Sequence, residues 1–215
     1  MQADITIHIN KNGWGNAPDV IRLIDLGLPS GTLWACANLG FKGSFSDLGK
    51  RYSWGTLYNQ ENDYINNEDP NSPGNTAKMF RCQDEGYCDG ICFTKQFDAA
   101  HKEWGGNWRT PSIYQYKELI DLCDAEFYDG PNHHGWKFIS RKNGNILYIP
   151  QFRFKRDENG KFILLDHTDG YWTRTYALKE KAWAFGSNGR LGGECNYSMC
   201  KTALPIRPVW MPDLK

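Results

Sequence analysis

Apolar and polar residues recur along this chain with two different periods, and the change from one to the other divides it into three stretches. The first has period two. "ITIHI" near the start reads as a short alternating strand within a lead-in over residues 1–21. "VIRLIDLG" predicts a strand ending at Gly27, and "TLWACANLG" predicts a second. Between them "LPSG" predicts a turn, because Pro29 sets one corner and Gly31 tolerates the other. The two strands make a hairpin at the start of the main domain. Residues 40–92 lose periodicity. "YSWGTLY" reads as a short strand, and "NQENDYINNEDPNSPGNT" reads as a long polar loop.

The second stretch has helical spacing. In "TKQFDAAHKEWGG", Phe97, Ala100 and Trp104 fall at i, i+3 and i+7. Thr94 is expected to cap its start, and Gly105 to close its end in a left-handed conformation. In "TPSIYQYKELIDLC", Ile113, Tyr116, Ile120 and Cys123 form one stripe with Leu119 beside it. Thr110 is the expected N-cap, with Pro111 in the first turn. "WGGNWRTPS", Trp104 to Ser112, is therefore a connector between two helices. Its rings are expected to wedge between helix and sheet, and Arg109 to anchor it through a buried ion pair or hydrogen bonds.

Past residue 130 period two returns. "GWKFISRKNGNILYIPQF" predicts a hairpin around the Asn143–Gly144 turn, and "FRFKRDENGKFILLD" another around Asn159–Gly160. "GYWTRTYAL", "KAWAFGSNG" and "LPIRPVW" complete a run of short strands. Strands, two helices, then strands imply an α+β domain over residues 22–215.

Composition narrows the chemistry. Lys plus Arg and Asp plus Glu number 25 each, so nucleic acid is not an expected partner. No apolar run approaches the roughly 20 residues that span a bilayer, so no membrane insertion is expected. "MQADITIHIN" has no basic segment followed by a long apolar one and does not read as a signal peptide. The 9 Trp, 11 Tyr and 11 Phe suit a loop-rich domain filled by rings. Seven cysteines, Cys36, Cys82, Cys88, Cys92, Cys123, Cys195 and Cys200, lack a usual zinc spacing. They read as thiols, with one or two disulfides if the protein is exported. His133–His134 reads as a surface loop. "NQENDYINNEDP" is rich in oxygen ligands but reads as a solvated acidic loop. No metal and no cofactor are expected, and neither a G-x-S-x-G nor an H-E-x-x-H motif occurs.

"DLGLPSGTLWACANLG", "YSWG", "FDAAHKEWGGNWRTPS" followed five residues on by "KEL", "GNILYIP", "GYWTRT" and "IRPV" occur in an order that resembles a known family. This is the major paralogous domain first noted in Fibrobacter succinogenes and abundant in Bacteroidetes. The resemblance runs over about residues 22–209, with Thr110 standing where Met or Leu is usual. It implies a C-type-lectin-like fold: two helices packed on a twisted, mainly antiparallel sheet with long loops. It also implies the subgroup shared with formylglycine-generating enzymes and with the variable proteins of diversity-generating retroelements, with a ligand surface near the C-terminal strands.

On that resemblance, Trp34, Trp54, Trp104, Trp108, Arg109, Trp172 and Arg207 are framework. Ligand contacts are expected within residues 173–198: Thr173, Arg174, Tyr176, Trp183, Phe185, Ser187, Asn188, Arg190, Asn196, Tyr197 and Ser198. Alternation puts Trp183, Phe185 and Ser187 on one face of a strand and leaves open which face points inward. The loop around residues 59–76 is expected to border this surface or to be mobile. The implied function is a non-catalytic adhesin or receptor-type module on a cell surface or phage particle, binding a protein or glycan. Two readings stay beside it: a formylglycine-generating-enzyme-like oxidase using Cys195 and Cys200, and a tail-fibre or pilus-tip subunit. The oligomeric state stays open between monomer and trimer.

Overall fold

The computed structural model describes residues 14–57, 80–81, 91–92, 94–130, 134–151, 154–156, 162–164, 170–178, 181–186, 194–200 and 202–211. The expected strand "ITIHI", the loop at 59–76 and the turn at 159–160 lie outside these residues. In chain order the first strands are β1 (Leu23–Asp25), β2 (Leu33–Ala35), β3 (Arg51–Tyr52), β4 (Phe80–Arg81) and β5 (Ile91–Cys92). Helix α1 (Ala99–Trp104), strand β6 (Trp108–Arg109) and helix α2 (Ile113–Leu122) follow. Next come β7 (Cys123–Asp129), β8 (His134–Ser140), β9 (Ile146–Pro150), β10 (Phe154–Arg156) and β11 (Phe162–Leu164). The last are β12 (Tyr171–Leu178), β13 (Lys181–Gly186), β14 (Glu194–Met199), β15 (Leu204–Pro205) and β16 (Val209–Trp210).

These strands pair antiparallel throughout. One sheet runs β1-β2-β16-β6, a second β14-β13-β12-β5-β4, and a third is the meander β7-β8-β9. The described chain is thus mixed α/β, mostly antiparallel sheet with two α-helices. His134 opens β8 opposite Asp129, a strand position where the sequence reads as loop.

Alternation sends successive side chains of the central strands into two separate cores. The first holds Ala35, Tyr52, Trp54, Trp172, Ala182 and Ala184, with α1 laid on it through Ala99, Ala100 and Trp104. The second holds Trp34, Tyr171, Phe185 and Val209, with α2 laid on it through Tyr116 and Leu119. The meander closes the second core with Trp136, Phe138, Leu147 and Ile149. Hairpin β12–β13 therefore lies between two apolar layers, which explains a sequence too uniformly apolar for a half-exposed antiparallel pair.

The lead-in joins this body from Trp14 onward. The Trp14 ring stands edge-on to Trp108 at 5.1 Å, and Ala17 and Ile21 are in the first core. Gly15 has φ 64°, and a Cβ there would meet the Trp104 carbonyl oxygen at 1.9 Å, so only glycine fits. The packed body begins earlier than the boundary expected at residue 22.

Both helix starts differ from expectation for one reason: a side chain further along offers the better acceptor. Lys95–Phe97 form a 3-10 turn, Thr94 makes no cap bond, and Asp98 is the N-cap of α1, accepting from Ala100 N and His101 N. Helix α2 starts at Ser112, whose hydroxyl accepts from Gln115 N while the Gln115 side chain accepts from Ser112 N. That reciprocal capping box displaces Thr110 and leaves Pro111 just outside the helix.

Thr110 is bound instead to Asp98, which accepts from Thr110 N at 2.8 Å and from its hydroxyl at 2.7 Å. Burial pushes the Asp98 carboxyl up. The Thr110 donors and the nearby Arg109 and Arg174 guanidiniums pull it down. Removing this carboxylate by Asp98→Ala would leave a helix start and the Thr110 donors unsatisfied in the interior. The expected loss is about 3 kcal/mol or more in urea unfolding, the sum of a cap and buried unpaired donors. Asp98→Asn, which keeps one acceptor, should lose less.

Candidate functional site

Hairpin β12–β13 and strand β14 contain every described residue among the expected ligand contacts, and the register sorts them. Opposite Ala184 in the ladder is Asn196, and opposite Trp183 is Tyr197. Asn196 thus lies on the face that carries Ala182 and Ala184, whereas Trp183 shares the α2 face with Phe185. Ser187, Asn188 and Arg190 lie outside the described residues, and only the backbone of Tyr197 is described. The expected contacts do not form one surface.

Three of them are interior, which corrects their assignment as ligand contacts. Phe185 stacks on Tyr116 at 4.5 Å with an interplanar angle of 5°, filling the space under α2. Thr173 and Arg174 fall in a distortion of β12. Trp172 faces Ala184 and Tyr176 faces Ala182, so four steps on one strand match two on the other. The extra residues loop out of the ladder and the strand turns toward new partners. The Thr173 hydroxyl donates to Trp183 O at 2.7 Å and accepts from Thr175 N at 3.1 Å, which holds the distortion closed. Arg174 N donates to Pro111 O at 2.8 Å, and Thr175 pairs with Cys92 of β5. Arg174 is 1% exposed, and its charge is near enough to help pull the Asp98 carboxyl down.

The other expected contacts are nearer the surface. Tyr176 is half-buried against the first core, its ring 5.9 Å from Trp54. Ser198 is half-buried, with its hydroxyl donating to Thr202 Oγ1 at 3.1 Å, and Asn196 is exposed. Trp183 is half-buried at the edge of α2. Two residues that the sequence reading missed join it there. Tyr114 and Lys117 lie one turn apart on α2. The Lys117 ammonium is 5.6 Å from the Tyr114 ring centroid and 5.8 Å from that of Trp183. Both belong to the helical stripe facing away from Tyr116, a signal legible only once the neighbour of α2 is known to be β13.

The connector and framework residues interlock. Trp104 and Trp108 meet edge-on at 4.8 Å. The Arg109 guanidinium donates to His101 Nδ1 at 2.7 Å, to Gly106 O at 3.0 Å and to Trp108 O at 2.5 Å. Gly105, at φ 69° and ψ −159°, takes a conformation open essentially to glycine alone, not the left-handed helical one expected. Trp172 Nε1 donates to Tyr52 O and Trp54 Nε1 to Thr173 O, and Trp34 is fully buried. Arg207 is fully buried and donates to Ala35 O at 3.1 Å.

The thiols are dispersed. Cys92 is disulfide-bonded, and Cys36, Cys123, Cys195 and Cys200 are free. Cys195 packs against the second core and Cys200 is within the first. Burial pushes the Cys195 thiol up to about 12, with Lys117 lowering it and Asp121 raising it. Among the described residues, no helix is long and apolar enough to cross a membrane. Compared with protein-family models, curated proteins and solved structures, the chain matches none, so its own geometry is what bears on function.

Two outcomes are expected from this geometry. Arg174→Ala should lower stability by about 3 kcal/mol in thermal or urea unfolding, because it removes a large, fully buried charged side chain from the interior. An unchanged melting temperature would place that guanidinium in solvent. In native protein at pH 7.5, Cys195 should alkylate at least about a hundredfold slower than a free thiol, since the thiolate is the reactive form. Peptide mass spectrometry over a time course would read the rate.

Proposed function

We propose that this chain is a non-catalytic binding module of the C-type-lectin-like kind, displayed outside the cell, that meets a protein or glycan ligand through the surface around Trp183. The observation that carries the reading is the half-exposed Trp183 indole on a hairpin most of whose described residues are buried. A large ring held rigidly at the surface brings contact area at little cost in rotamer freedom. Tyr114 and Lys117 extend that surface onto α2, and Asn196 and Ser198 mark the opposite side of the same sheet.

Other features agree with this proposal. Two helices on antiparallel sheet fit the resemblance to the major paralogous domain family. The disulfide at Cys92 suits an oxidising compartment. A thiol pushed up to about 12 at Cys195, with Cys200 in a different core, does not suit a paired-thiol oxidase.

Arrays of glycans and of cell-surface proteins, probed with the folded chain, test the reading. Trp183→Ala should weaken any ligand found by about 1–2 kcal/mol, the range of a true aromatic anchor. Its melting temperature should fall only slightly. Tyr176→Ala and Asn196→Ala should matter less. A ligand that binds equally well to wild type and to Trp183→Ala would move the binding face elsewhere.

A further inference from the structure

Arg207 is fully buried two residues before β16. Its Nη1 donates to Ala35 O on β2 at 3.1 Å, whereas its Nε and Nη2, equally buried, donate to no group of the chain. No carboxylate among the described residues acts on its charge. The groups that do are Tyr171, Tyr116 and Cys36, with Tyr148 beyond them. Burial pushes Cys36, Tyr116 and Tyr148 up, so they stay neutral near pH 7, and the Tyr171 hydroxyl keeps its proton to donate to Pro150 O. A guanidinium does not give up its own proton there. The interior thus encloses a positive charge that none of its described groups balances, an arrangement far costlier than a buried neutral donor. Other donors beside it are unused. The Tyr116 hydroxyl and Trp34 Nε1 are buried without partners, and their rings are 5.1 Å apart. Trp34 is the β2 residue before Ala35 and faces Val209 of β16.

We propose that Arg207 and the Tyr116 hydroxyl hold a small monovalent anion, a halide such as chloride, inside the second core. Charge selects this occupant. Water would satisfy the free N–H groups but would leave the guanidinium unbalanced, and a divalent anion would exchange one buried net charge for its opposite. Enclosure selects its size. Arg207, Tyr116 and Trp34 are all fully buried, so a carboxylate-bearing ligand would have no outlet for the rest of its body. A halide has no such remainder, and it accepts from several donors at once without demanding a fixed direction. Its place is structural: it joins the end of the chain at β16 and the β2 strand to α2.

The test compares thermal unfolding of the full chain in sodium chloride and in sodium gluconate at equal ionic strength, since gluconate is too large for a closed core. Chloride should raise the unfolding midpoint saturably, by about 3 °C or more well above its half-effect concentration, and gluconate should not. Bromide should replace chloride, and its anomalous signal in crystals grown from bromide should fall beside Arg207 Nε and Nη2. Tyr116→Phe keeps the ring stacked on Phe185 and removes one donor. It should raise the chloride concentration for half the effect at least about threefold, the loss of one hydrogen bond. Arg207→Met should abolish the chloride effect; if that variant does not fold, the bromide map and Tyr116→Phe decide. Equal midpoints in the two salts, no bromide beside Arg207, or a chloride response unchanged in Tyr116→Phe would overturn the proposal.

Discussion

The buried carboxylate of Asp98 is the constraint on which the arrangement depends. It starts α1, and it holds Thr110 at the far end of the connector, so a single side chain closes a loop of twelve residues. With the connector closed, Trp108 and Arg109 can serve as a strand beside β16, and Pro111 can accept from β12. The Ile113 N–H, just past the capped start of α2, then donates to Thr175 Oγ1 at 3.1 Å. Each helix is placed against its own core by bonds that begin at this connector. Burial is the larger influence and holds the Asp98 carboxyl above its ordinary range, while the Thr110 donors and the nearby Arg109 and Arg174 guanidiniums offset it in part.

The distortion in β12 follows from the same demand. A regular strand would leave Arg174 on the ladder, far from Pro111. Two extra residues let the chain turn to reach the connector on one side and Cys92 on the other. Thr173 then has no freedom to meet a ligand, because its hydroxyl occupies the space that the missing ladder bonds would have filled. The expected recognition segment is split by this: Thr173 and Arg174 are scaffold, and among the described residues Tyr176, Trp183, Asn196 and Ser198 are nearer the surface.

Elements with strong turn or cap chemistry were legible. The 23–35 hairpin was announced by Pro29 and Gly31, the β8–β9 hairpin by Asn143–Gly144, and α2 by its apolar stripe. Strand β7 was not, because "CDAEFYD" follows α2 without a breaker and carries its charges outward on an edge strand. Strand β14 was hidden because "ECNYSM" carries no clear alternation of apolar and polar residues. The start of α1 was misplaced because Thr94 and Asp98 are both good caps, and only the fold brings Thr110 to the second. For the site, alternation correctly grouped Trp183 with Phe185. It could not say that a helix covers one of them and leaves the other at its margin, since that depends on where α2 crosses β13. Arg174 reads like a surface arginine because nothing local signals that β12 turns inward there.

The two-sided burial of β13 also bears on how this chain would serve as a scaffold for combinatorial libraries. Randomising the whole C-terminal segment would insert polar and oversized residues at Ala182, Ala184 and Phe185, and most members of such a library would fail to fold. Productive diversity belongs instead on a seam made of Tyr114 and Lys117 from a helix and Trp183 from a central strand. These positions are far apart in sequence. A mutagenic cassette confined to one stretch of gene would reach only part of that seam, and new specificity in this architecture would need oligonucleotides that address the helix and the strand together.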